Sequence, residues 1–166
     1  HHRDRNVERC RESDRRSLVD NALAEACRLN RIVGNLLQMS QLDSGVLRIQ
    51  GQPQDVQDLL SMVPVESLRL PDNLPLVFCD FLLTQQVLYN LLDNARKYAP
   101  DSPITVGAEE QGEFLMIYVQ DSGPGVPEAE REKVFGRFYR ARTSPVESGS
   151  GLGLSICQGL IESQGG

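Results

Sequence analysis

Four short patterns in this chain have the residue types and spacing to do chemistry together: Asn90-Leu-Leu-Asp-Asn94 with Lys97, Asp121-Ser-Gly-Pro-Gly125, Phe135-Gly-Arg-Phe138 and Gly149-Ser-Gly-Leu-Gly153. A carboxamide oxygen offers a neutral ligand to a hard cation whose charge is already balanced by phosphates, as Mg²⁺ commonly is. Lys97 adds a point charge for phosphate oxygens. Asp121 follows the apolar run Met116-Ile-Tyr-Val119, so its carboxylate emerges at a strand end. An ionised carboxylate only accepts hydrogen bonds, which makes it select an exocyclic amine over a carbonyl. Gly123 and Gly125 then keep the turn clear for a flat base, and the glycines at 149, 151 and 153 leave backbone N–H groups open to phosphates at the start of an apolar helix. The sum is a site for ATP built without a Walker loop.

Each pattern also has an ordinary reading when taken alone. Polar residues on one side of a helix are commonly a solvated face, Asp-x-Gly-x-Gly is a frequent turn, and Arg140 and Arg142 resemble other surface arginines. Company and order favour the site. Between the second and fourth patterns, the stretch from Phe135 to Ser148 reads as a lid, with Phe135, Phe138 and Tyr139 anchoring one end by aromatic burial and a polar, proline-interrupted remainder. Arg140, at its base, is placed to reach a terminal phosphate.

The elements that must position these groups follow from periodicity. From Asn6 to Asp43 there is no proline, and Leu18, Ala22, Leu29, Ile32, Val33, Leu36, Leu37 and Met39 recur at helical spacing, which predicts one long amphipathic helix ending at Ser44-Gly45. Alone, such a helix would leave its apolar stripe wet, so a helical bundle shared with a second copy is expected. A division near residue 50 follows: residues 1–50 as helix and linker, residues 51–166 as a second domain. Within the latter, Ser67–Leu70, Leu76–Phe78, Ile104–Val106 and Phe114–Val119 read as strands, the last two as an antiparallel hairpin around Glu109–Gly112. Phe81–Tyr98, Glu128–Val134 and Gly153–Ser163 read as helices. On the first of these, Gln86, Asn90, Asp93, Asn94 and Lys97 share one side, and Val87, Leu88, Leu91, Leu92 and Ala95 pack the other on the sheet. The expected class is α+β, a sandwich with helices on one face of a mainly antiparallel sheet.

Bulk properties bound the function. With 166 residues and 40% apolar composition the chain can bury a real core, and a net charge of −6 argues against a broad nucleic-acid footprint. Cys10, Cys27, Cys79 and Cys157 are widely spaced, which suits reduced thiols rather than metal or disulfide roles. No apolar run approaches the roughly 18 residues of a membrane span, and none reads as a signal peptide.

The four patterns resemble the N, G1, F and G2 boxes of sensor histidine kinases, within the wider GHKL group of gyrase, Hsp90 and MutL ATPases with its Bergerat fold. Arg31 to Gly45 is similar to the second helix of the dimerisation and phosphotransfer domain and its exit, a segment the other group members do not carry. Leu70 to Asp80, leading into the N box, resembles the KdpD-type kinases in particular. The resemblance covers most of residues 18–166.

It implies the following roles. Asn94 is the Mg²⁺ ligand, supported by Asn90; Lys97 and Tyr98 face phosphates and sugar; Asp121 meets the adenine N6; Gly123 and Gly125 meet the base. Arg140 meets the γ-phosphate, and Gly149, Gly151, Leu152 and Gly153 hold the phosphate chain, with Asn94, Lys97 and Arg140 as the catalytic set. It further implies a homodimer, autophosphorylation of a histidine, transfer to an aspartate of a response regulator, and a cytoplasmic position beneath a bacterial inner-membrane anchor outside this chain.

The chain departs from the family pattern in carrying no acceptor motif of His, acidic residue and Arg-Thr-Pro. His1 and His2, followed by Arg-Asp-Arg, do not match it. A preceding helix, a longer stretch at Leu60–Val65 and final strands after Gly166 are the expected complement. Two alternatives stay open at this point: a different GHKL ATPase, with Asp93 or Asn90 serving water activation, and a silent nucleotide-binding or dimer-scaffold module.

Overall fold

A computed structural model describes residues 2–141 and 149–166, with side chains from residue 15 onward. His1, the His2 side chain and residues 142–148, including Arg142 and the outer part of the expected lid, lie outside the described residues. The chain divides into two compact units, His1–Leu37 and Gln38–Gly166.

The first unit is helical throughout its described length and belongs to α1 (His2–Asp43), whose start lies a turn earlier than the sequence suggests. Leu18, Val19, Leu23, Leu29, Val33, Leu36 and Leu37 are all exposed, so the apolar stripe is present and uncovered among the described residues. The helix stops where glycine permits. Gly45 adopts φ 63°, its N–H donates to the Leu42 carbonyl at 3.2 Å, and the Val46 N–H reaches back to the Gln41 carbonyl at 3.2 Å.

The second unit is built around α3 (Phe81–Tyr98), whose bounds agree with the sequence reading. Asp80 caps it, its Oδ1 accepting from the Leu83 N–H at 3.1 Å, and Arg96 and Lys97 in the last turn complement the helix dipole. Asp80 is almost fully buried and does more than cap. Its Oδ2 accepts the Gln50 N–H at 2.8 Å, and its own N–H donates to Gln164 Oε1 at 2.7 Å.

Around α3 the strands form two small sheets. β1 (Gln52–Gln54) pairs antiparallel with β3 (Val77–Cys79), and the order in the other sheet is β2 (Ser67–Arg69), β4 (Thr105–Gln111), β5 (Phe114–Gln120). The β4–β5 hairpin is antiparallel as expected, turning through Gly112 at φ 64°. β2 runs parallel to β4, with Ser67 opposite Thr105. β1 and the short helix α2 (Val56–Ser61) carried too few residues to register as periodic signals. The architecture is α+β.

Two apolar clusters flank α3, which revises the expectation that one helix side packs on the sheet. Leu88, Leu92 and Ala95 meet Val106 and Ala108 of β4 together with Val56 and Leu60 of α2. Val87 and Leu91 turn instead toward Ile156 and Leu160 of α4 (Gly153–Glu162) and its cap residue Leu152, joined by Met39 and Leu42. The helix is thus buried on two sides; Leu82, Tyr89 and Arg96 face solvent, and the polar residues Gln86, Asn90, Asp93, Asn94 and Lys97 are half-buried. The helix expected over Glu128–Val134 is two separate 3-10 turns, Glu128–Glu130 and Lys133–Phe135. Neither turn buries a residue, so nothing offsets the cost of nucleating an α-helix there.

Candidate nucleotide-binding site

The polar strip of α3 lies between the two glycine-bearing segments. At its C-terminal end, the Ser122 N–H donates to Ser102 Oγ at 2.7 Å, fastening the Asp121–Gly125 turn to the loop that follows the helix. Gly123 fits there because it lacks a side chain: a Cβ would stand 2.9 Å from Ala99 Cβ, 3.0 Å from Asp121 Oδ1 and 3.3 Å from the Tyr98 carbonyl oxygen. Asp121 is exposed, and its Oδ1 accepts the Gly123 N–H at 2.8 Å, so the carboxylate is oriented by its own turn. Gly125 follows at φ 71° with open space where a side chain would point.

On the other flank, Gly153 opens α4 with Asn94 Nδ2 4.0 Å from its Cβ position. Leu152, the cap residue, is fully buried, and among the described residues no side-chain bond caps the first turn of α4. Its leading N–H groups are therefore available to an anion in the manner helix N-termini provide. Gly151 sits at φ 68° pressed on the Phe135–Phe138 segment, its Cβ position 2.7 Å from the Phe138 carbonyl carbon and 2.9 Å from Phe138 Cα. Among the described residues nothing lies within 4 Å of the Cβ position of Gly149.

Along the strip, Lys97 Nζ forms an ion pair with Asp93 one turn earlier, and Asn94 and Tyr98 are half-buried. Asn90 Nδ2 is buried without a hydrogen-bond partner of ordinary geometry, its polar neighbour being the Cys157 thiol. An unsatisfied buried donor costs about 1–3 kcal/mol, so stability does not explain this amide. Burial pushes the Cys157 thiol up to about 11, with Asn90 opposing the rise. Among the described residues no three His, Cys, Asp or Glu side chains cluster as a metal site. The oxygen donors are the carboxamides of Asn90 and Asn94, a set that fits an ion held mainly by phosphates and water.

Two sequence expectations change. Phe135 and Phe138 are 43% and 65% exposed, so aromatic burial does not anchor this segment; Tyr139 is half-buried. Phe138 also takes φ 61°, a left-handed conformation uncommon for a bulky residue. Arg140 is exposed and interacts within the chain. Sequence reasoning missed Arg137, which forms a forked ion pair with Asp43, Nη1 to Oδ2 at 2.7 Å and Nη2 to Oδ1. It also missed the reciprocal amide bonds between Gln38 and Gln86, at 2.8 and 2.6 Å. The presence of Arg137 within the third motif was the one available signal.

A mixed sheet under helices, with carboxamides on one helix between an Asp-Gly turn and a glycine-started helix, defines a class of nucleotide-dependent proteins. Residues 79–166 match the family described as histidine kinase-, DNA gyrase B- and HSP90-like ATPase, and the chain belongs to it. Among curated relatives, it is 33% identical over 147 residues to the sensor protein KdpD of Escherichia coli strain K12, covering 82% of this chain and 16% of KdpD. It is 34% identical over 159 residues to the sensor protein SrrB of Staphylococcus aureus, covering 87% of this chain and 27% of SrrB. The chain thus spans well under half the length of these relatives. Its fold is similar to that of full-length ShkA in complex with AMPPNP, with a TM-score of 0.72 and 25% identity over 82% of this chain and 31% of that one. These likenesses mark the chain as part of a sensor histidine kinase transmitter carrying a GHKL-type ATPase domain. Among the described residues no helix is long and apolar enough to cross a membrane.

Proposed function

We propose that this chain binds ATP with Mg²⁺ and supplies the catalytic half of a protein-histidine kinase. The observation that carries the reading is the placement of the α3 strip between the Asp121 turn, packed on Ala99 and Tyr98, and the start of α4, packed beside Asn94. A nucleotide laid across that strip has its base at Asp121, Gly123 and Gly125 and its phosphates at Gly149, Gly151, Leu152 and Gly153. Asp121 accepts from the adenine amine. Asn94, with Asn90, holds the cation, which when bound neutralises phosphate charge. Lys97 exchanges its Asp93 partner for a phosphate oxygen, and Arg140 faces the γ-phosphate. Phosphoryl transfer asks little covalent chemistry of a protein, so positioning and charge are what these residues contribute.

The acceptor in this reading is a histidine outside the chain, the product passes to an aspartate of a response-regulator receiver domain, and the exposed stripe of α1 joins a second copy in a helix bundle. Residues 1–50 serve that dimerisation and phosphotransfer role, residues 51–166 the nucleotide, on the cytoplasmic side of a bacterial membrane anchored by other segments. The similarity to KdpD and SrrB covers 82% and 87% of this chain, more than the ATPase family match over residues 79–166, which supports a kinase over the other ATPases of the family.

Calorimetric titration with a nonhydrolysable ATP analogue, with and without Mg²⁺, tests the site. Saturable Mg²⁺-dependent binding that Asp121→Asn loses supports it. Wild-type affinity in Asp121→Asn, or no binding by the parent chain, refutes it.

A further inference from the structure

The Phe135–Phe138 segment poses a physical question: it touches the phosphate loop, yet its two phenylalanines are exposed and its 3-10 turn buries nothing. Something other than apolar burial must fix it. We propose that Asp43, the last residue of α1, is a positioning residue for the nucleotide site, acting through Arg137 on Phe138 and Gly151. The inference rests on the ATP-site reading above and assigns to that site a mechanical link to the end of the long helix.

Three observations carry it. First, the ion pair is forked, Arg137 Nη1 lying 2.7 Å from Asp43 Oδ2 while Nη2 meets Oδ1, which fixes direction as well as distance. The guanidinium holds the Asp43 carboxyl below the usual carboxylate range, mainly by hydrogen bonding. Second, Asp43 is a fixed point. Gln38 and Gln86 exchange two amide hydrogen bonds, attaching this end of α1 to α3 one turn before Asn90. Leu42 Cδ1 lies 2.9 Å from the Cβ position of Gly159, attaching it to α4. Third, there is no slack beyond Arg137. Phe138 follows directly in a left-handed conformation, and its backbone fills the space where a Gly151 side chain would stand. Leu152 is buried next to it, and Gly153 begins α4 beside Asn94. A shift of Arg137 therefore passes through backbone contact to the loop that holds the phosphates.

The pair is solvent-exposed, so its effect is modest and screened by salt. Four variants test the link: Asp43→Asn, Arg137→Gln, Arg137→Lys and the swap Asp43→Arg with Arg137→Asp. Two readouts are taken at low salt: amide hydrogen exchange at residues 151–153 without nucleotide, and affinity for a nonhydrolysable Mg²⁺-ATP analogue. Asp43→Asn and Arg137→Gln are expected to speed exchange there and to weaken affinity equally, by about two- to fivefold, with the urea midpoint of the core unmoved. The swap restores both readouts, Arg137→Lys falls between because an ammonium cannot make the fork, and 0.5 M salt, with a Debye length of about 4 Å, shrinks the differences. Unchanged exchange in the single variants, or a swap that fails to restore it, overturns the link while leaving the nucleotide site standing. A parent chain that shows the exchange pattern but binds no analogue overturns the nucleotide reading and with it the assigned purpose of the link.

Discussion

Three glycines of the candidate site separate two physical terms, and alanine at each gives a graded outcome. Gly149 has neither a left-handed φ nor, among the described residues, any atom within 4 Å of its Cβ position. Gly125 has φ 71° but open space, and Gly151 has φ 68° with Phe138 backbone atoms at 2.7 and 2.9 Å. Gly149→Ala removes only unfolded-state freedom and stabilises the chain by about 0.4–1 kcal/mol. Gly125→Ala forces an L-residue into the left-handed region, at a cost of about 1–2 kcal/mol. Gly151→Ala adds overlap to the same conformational term, and the overlap is with backbone, which cannot rotate away as a side-chain tip can. Overpacking of this kind costs about 1–3 kcal/mol, so the expected total is about 2–5 kcal/mol. Urea denaturation of the nucleotide-free chain measures all three without interference from ligand contacts. If the loop opens locally instead, Gly151→Ala keeps its midpoint and loses about tenfold or more in affinity for an ATP analogue, since 1.4 kcal/mol is one decade. Gly151→Ala indistinguishable from Gly125→Ala in both assays would show that the Phe138 contact yields freely and would sink the argument.

Two further outcomes follow from buried groups. The Cys157 thiol is raised from the ordinary 9.0 to about 11, chiefly by burial, so the folded state holds its proton more tightly than the unfolded state. Its contribution is complete below pH 9 and is lost as the pH rises through 11, up to about 3 kcal/mol in all; the urea midpoint should fall more steeply between those values in the parent chain than in Cys157→Ala, and parallel slopes would refute the assignment. Asp80→Ala removes the α3 cap and leaves the Gln50 N–H without its acceptor. The expected loss is about 2–4 kcal/mol, from about 1 for the cap and 1–3 for the orphaned donor, and a loss under about 1 kcal/mol by chemical denaturation would show that water replaces the carboxylate.

Local signals account for what the sequence alone determined. The bounds of α3 were readable because Asp80 precedes an unbroken helical period that runs to Tyr98, with Pro100 just beyond it. The β4–β5 hairpin was readable because two β-rich runs flank Gly112, and the order of the four motifs identified the family. Each of these cues lies within a few residues of the feature it specifies. Tertiary structure decided the rest. Periodicity showed that Val87 and Leu91 share an inward face but could not say that α4, rather than the sheet, covers them. Aromatic content suggested an anchored segment at Phe135–Tyr139, whereas Phe135 and Phe138 are exposed and a forked ion pair to Asp43, 94 residues away, holds its middle. Nor does a sequence reveal that Gly123 must clear Ala99 or that Gly151 must clear Phe138. Helix and turn propensities are properties of short stretches, while a close approach between two backbones depends on how distant elements pack, and that distance appears only once the chain has folded.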